Sequence, residues 1–128
     1  MSIEKVKRQI RIITGSVTAL AELNTTKTAD AIWQALPLSG RANIWGEEIY
    51  FAIPVKMELE EGHEIVEPGD LGYWPRGSAL CIFFGPTPIT RGEEIRAASP
   101  VNIFGKLTFD SKVFKEVKEG EKIIVEMI

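Results

Sequence analysis

Cysteine occurs once in the 128 residues, at position 81, which rules out an intramolecular disulfide. Histidine also occurs once, at position 63. With one of each, a zinc site would have to be completed by carboxylates, and no ligand spacing stands out, so no metal is expected. No apolar run approaches the ~18 residues that a membrane helix needs. The opening residues, MSIEKVKRQIRI, carry basic side chains with no continuous apolar stretch behind them, unlike a secretory leader. The expected compartment is therefore the cytoplasm, with no membrane as partner. An excess of basic charge is lacking too: 15 Lys and Arg against 18 Asp and Glu give a net charge of −3, scattered along the chain. Phosphate backbones need a concentrated basic surface, so nucleic acid is not an expected partner. P-loop spacing, dinucleotide-binding spacing and the G-x-S-x-G elbow are all missing, and no cofactor is expected.

What is present is an ordinary globular composition, 45% hydrophobic and 26% charged, in a length that fits one domain over 1–128. Residues 5–23 read as two strands meeting at Gly15-Ser16, with Val17, Ala19, Ala21 and Leu23 repeating at period two. A helix follows. One of Thr25, Thr26 or Thr28 caps it, Ala29, Ile32, Trp33 and Leu36 share its apolar face, and Pro37 stops it. Strand character returns over 41–55; in NIWGEEIYFAIPV, Glu47, Ile49, Phe51 and Ile53 fall on one face, so that Glu47 begins a core face. A glutamate-rich stretch over 56–69 reads as an exposed excursion, with His63 solvated within it.

GDLGYWPRG (69–77) reads as a turn-bounded strand whose backbone must bend closely, and ALCIFFGPTP (79–88) as a buried strand ended by Gly85-Pro86. Cys81 is read as an inert core thiol. A polar loop carrying Arg91, Glu93, Glu94 and Arg96 leads to the strand VNIFGKLTF (101–109). Asp110 caps a short helix with Val113, Phe114 and Val117 inward, Gly120 ends it, and EKIIVEMI closes the chain as a strand. The expected fold is mainly β, a closed barrel of about eight mostly antiparallel strands with two short helices.

Three segments carry a family resemblance: WGEEIYF (45–51), GDLGYWPRGSALCIFFGPTP (69–88) and the terminal VNIFGKLTFDSKVFKEVKEGEKIIVEMI. Together they resemble the small cyclophilin-like family of bacteria and archaea, over essentially the whole chain from about residue 5. The resemblance implies a cyclophilin-like barrel with a face suited to peptides. It also exposes a departure. Cyclophilins place a catalytic arginine on a strand reading F-H-R-I-I-P; the counterpart here is IYFAIP (49–54), with Phe51 near the arginine's position. The glutamine of G-S-Q-F-F falls at Ala79, and the histidine before the F-G-K strand at Val101. Prolyl isomerisation crosses a barrier of ~18–20 kcal/mol set by amide resonance. Without the donor that weakens that resonance, a pocket binds proline yet accelerates little.

The aromatics beside glycine and proline, Trp45, Tyr73 and Trp74, are placed to line a concave site. Glu47 and Glu48 point to opposite faces of a strand and cannot form an acid–base dyad; one inward carboxylate either binds a ligand amine or caps a turn. Arg76 is either an anchor for an anionic group or a solvated loop residue, and Asn102 either orients a ligand or ties backbone together. The expected function is binding of a small molecule or short peptide near Trp45, Glu47, Phe51, Tyr73, Trp74, Arg76 and Asn102. Two rivals stand beside it: a divergent peptidyl-prolyl cis–trans isomerase, and an interaction module working through its surface.

Overall fold

The computed structural model describes residues 8–128. The N-terminal reading, including the start of a strand at residue 5, lies outside that range. Ten strands form in chain order. They are β1 (Gln9–Thr14), β2 (Val17–Leu23), β3 (Leu38–Arg41), β4 (Asn43–Ile44), β5 (Glu48–Ala52), β6 (His63–Val66), β7 (Asp70–Trp74), β8 (Ala79–Phe83), β9 (Ile95–Leu107) and β10 (Lys122–Met127). One α-helix, α1 (Lys27–Ala35), follows β2, and 3-10 turns occupy Pro75–Gly77 and Ser111–Glu116. Thr26 caps α1 by accepting a hydrogen bond from the Ala29 amide at 3.0 Å. The expected second helix is the 3-10 segment, capped by Asp110 and burying Phe114.

All ladders are antiparallel, and the strands run β3-β10-β1-β2-β9-β7-β8-β5-β4, with β6 on the flank of β9. The fold is thus mainly β, as the sequence indicates, with more strands than expected. The excess arises because a strand, β3, forms before Ala42, because the expected strand over 41–55 divides into β4 and β5 at Gly46-Glu47, and because the glutamate-rich excursion contributes β6. The hydrogen-bonded path is open, with no ladder between its end strands β3 and β4. Strand β9 also begins earlier than expected, at Ile95, so Arg96 belongs to a strand and not to a loop.

Alternation explains the interior. Ile49, Phe51, Leu71, Tyr73, Leu80, Ile82 and Phe84 point into the main core, together with Ile10, Ile12, Ile32, Phe104, Phe114 and Val125. The opposite faces of β5, β7 and β8 are covered as well. Cys81, Phe83, Val66, Ile95, Ala97 and Val101 form a second apolar group, flanked by Tyr50, Trp74 and Ile103. Strands covered on both faces read as continuous apolar runs, which is why 79–84 shows no polar alternation. Phe83 and Phe84 are both buried, one on each side of the sheet.

Candidate functional site

The second apolar group does not fill its side of the sheet. A cavity of about 230 Å³ remains, lined by Trp45, Glu48, Tyr50, Trp74, Ala97, Ala98 and Val101. Its geometry begins with a turn. Trp45 N donates to Glu48 O at 2.9 Å and Glu48 N to Trp45 O at 3.2 Å, leaving Gly46 and Glu47 at the tip of a two-residue hairpin. Gly46 has φ +61°, the left-handed value that the first central residue of a type II′ turn requires. The two residues flanking such a turn lie opposite each other on one face. Trp45 and Glu48 therefore point the same way, and Tyr50, two residues on, joins them.

The inward acid is consequently Glu48. The expectation that Glu47 begins a core face is corrected: Glu47 sits in the turn, outside the strand, and the parity of β5 does not reach it. Its side chain folds over Gly85, where a Cβ would collide with the carboxylate, and it pairs with Lys115 Nζ at 3.5 Å. Glu48 is only 5% exposed, and its Oε1 has no hydrogen-bond partner. Burial pushes its carboxyl up from 4.5 to about 7, partly offset by the Cys81 thiol beside it. Burial, then the charge of Glu48, pushes that thiol well above its ordinary range. The rings of Tyr50 and Trp74 meet edge to face, 6.3 Å between centroids at 79°. Trp74 Nε1 donates to Ser99 Oγ at 2.5 Å, which fixes the indole.

The other expected site residues lie elsewhere. Phe51 and Tyr73 belong to the main core. The Tyr73 hydroxyl donates to Val55 O at 2.6 Å and accepts from Met57 N at 3.2 Å, tying the segment after β5 to the sheet. Arg76 is exposed in the 3-10 turn. Asn102 is buried and ties backbone together. Its Nδ2 donates to Thr28 Oγ1 at 3.1 Å and to Glu58 O at 2.8 Å, while Oδ1 accepts from Glu60 N at 2.6 Å. The Glu60 carboxylate in turn accepts from the Lys27 and Thr28 amides at the start of α1, and these bonds hold it below the usual carboxylate range. Of the seven residues expected at a site, the structure brings Trp45 and Trp74 to the cavity. Glu48 and Tyr50 were missed as lining residues, although the Gly46-Glu47 turn was the signal that places them. His63 is exposed, as expected, but on β6. Among the described residues no three His, Cys, Asp or Glu side chains stand together to hold a metal ion. Among the same residues no helix is long and apolar enough to cross a membrane.

Comparison with known proteins bears on the same fold. The family profile described as Cyclophilin-like matches residues 8–126. The solution structure of a hypothetical protein from Archaeoglobus fulgidus is similar along the full length of both chains, with 39% sequence identity and a TM-score of 0.82. No curated protein matches. A match over nearly the whole chain, on an antiparallel sheet with the expected terminal strand, settles the relationship: this protein belongs to the cyclophilin-like family.

Proposed function

We propose that this protein is a binding domain whose site is the cavity between Trp45, Glu48, Tyr50 and Trp74, and that it is not an efficient prolyl isomerase. The same reading treats the sheet as a barrel whose seam the chain itself crosses at Ala42, between β3 and β4. The observation that carries the function is the buried Glu48 carboxyl with an unpartnered oxygen, set among aromatic walls. The Cys81 thiol hydrogen-bonds the carboxyl, but a buried oxygen left without a partner still costs stability, on the order of 1–3 kcal/mol. Such a cost is accounted for when a ligand supplies the missing hydrogen bond. The lining residues include no arginine, lysine or histidine, so nothing in the cavity donates a charged hydrogen bond to a prolyl nitrogen. Phe51, near where cyclophilins carry their arginine, packs in the main core.

A fragment collection titrated onto ¹⁵N-labelled protein tests the site. Binders should shift the indole N–H signals of Trp45 and Trp74 and leave that of Trp33 in place. Fragments that bind with no change at either indole would place the site elsewhere. Family membership keeps the isomerase reading alive, and a protease-coupled assay on X-Pro peptides decides it. Rates at the uncatalysed background are expected, and clear acceleration would reverse the conclusion.

A further inference from the structure

Building on that reading of the cavity, we propose that its occupant is a small organic monocation with at least one N–H: a primary or secondary ammonium on a short apolar body. Glu48 takes the N–H, and the rings of Trp45, Tyr50 and Trp74 receive the charge and the apolar part. The lining selects this class by exclusion. An anion meets no basic side chain among the lining residues. A metal ion meets a single carboxylate, and no three-ligand group exists among the described residues. A wholly apolar occupant leaves Glu48 Oε1 without a partner. The part of a ligand that enters is small, since about 230 Å³ lies below the ~300–1,000 Å³ typical of drug-sized sites.

The positive case is geometric. Tyr50 and Trp74 stand nearly perpendicular, so one presents an edge to the other and the two form a corner of π surface. A cation near a ring face is attracted by its quadrupole, most strongly where water is excluded. The Ser99 hydrogen bond holds the indole of Trp74 in place before any ligand arrives. One acid and one cation then make a neutral buried pair with a charge-assisted hydrogen bond, which the neutral Cys81 thiol alone does not give this carboxylate.

Ionised Glu48 is the form that binds a cation, so affinity should rise with pH as that carboxyl deprotonates. No other carboxylate and no basic side chain lines the cavity with it. Cys81 on β8 is held neutral by burial, Tyr50 on β5 contributes a phenol, and Trp74 on β7 and Ala97, Ala98 and Val101 on β9 contribute nothing titratable. His63 on β6 is paired with Val101 in the ladder and is exposed, so a His63→Gln variant serves as the control for that neighbouring side chain.

The test uses cyclopentylammonium, cyclopentanol and cyclopentanecarboxylate as probes of one shape and three charges, titrated onto the full chain and followed by the tryptophan indole signals. At about pH 8 the ammonium should bind roughly tenfold or more tightly than the alcohol, and the carboxylate should not bind. Glu48→Gln should weaken the ammonium about tenfold and leave the alcohol almost unchanged. Lowering the pH to about 5.5 should weaken the ammonium by on the order of tenfold in wild type and in His63→Gln, but not in Glu48→Gln. Charge selectivity is read on the wild type, so it stands even if that variant folds poorly. Alcohol binding as tight as ammonium binding, or a preference for the carboxylate, would overturn the monocation and leave the cavity as the site. Silence of the Trp45 and Trp74 signals toward every probe would overturn the cavity reading itself.

Discussion

Glu48→Gln should make the protein more stable at alkaline pH and leave it nearly unchanged at acidic pH. In the unfolded chain this carboxyl titrates at its ordinary 4.5; in the fold, burial raises it to about 7. Between those values the native state holds a proton that the unfolded state has released. Stability therefore falls as pH rises through this window, by ~1.4 kcal/mol per pH unit for one proton. Across the 2.5-unit gap between 4.5 and about 7, the wild type loses on the order of 3 kcal/mol that an uncharged side chain keeps. The sign is opposite to that of a salt-bridged carboxylate, because the folded pKa is raised, not depressed.

Urea denaturation of wild type and Glu48→Gln at about pH 5 and pH 8 reads this directly, since every other titrating group is common to both and cancels in the difference. At the lower pH, only just above the unfolded value of 4.5, the variant's advantage should be below about 1 kcal/mol. At the higher pH the variant should exceed the wild type by about 2–3 kcal/mol. A difference that does not change between the two conditions would refute the reasoning, because it would mean that Glu48 carries the same charge in both states. A saturating ammonium ligand should shrink the gap at pH 8 by restoring the missing partner in the wild type alone.

Asn102→Ala removes three hydrogen bonds joining β9, the start of α1 and the 58–60 segment, and should cost on the order of 2–4 kcal/mol in the same assay. It should also speed amide exchange at Glu60 and at the first turn of α1; protection equal to wild type there would show that the segment is held by other contacts. Cys81 is 1% exposed with its thiol pushed well up by burial, so a thiol reagent should leave the native protein unmodified and react once on unfolding in urea. Rapid reaction under native conditions would mean that the second apolar group opens readily.

Much of the architecture was readable because it rests on local rules. The Gly15-Ser16 hairpin, a threonine cap ahead of α1, the fully apolar β8 and the terminal strand each follow from a few adjacent residues. The site was only half readable, and the reason is one turn. Treating 41–55 as an unbroken strand assigns Glu47 to the face of Ile49 and Phe51; inserting a two-residue hairpin at Gly46-Glu47 reassigns the inward acid to Glu48 and puts Trp45 beside it. Period-two patterning is unforgiving in this way, since an error of one residue moves every side chain to the other face. Tyr73 and Asn102 misled for a different reason. A polar atom on a buried residue has the same sequence signature whether its partner is a ligand or the chain's own backbone, and here distant backbone groups at Val55, Met57, Glu58 and Glu60 supply the partners. Among the described residues two buried side-chain atoms lack a partner: Thr14 Oγ1 on β1, which is not in the cavity lining, and Glu48 Oε1, whose residue is. Sequence, packing and hydrogen bonding agree at the other buried positions of β5, β7 and β8, and the disagreement at this one carboxyl is what motivates the binding reading proposed for the cavity.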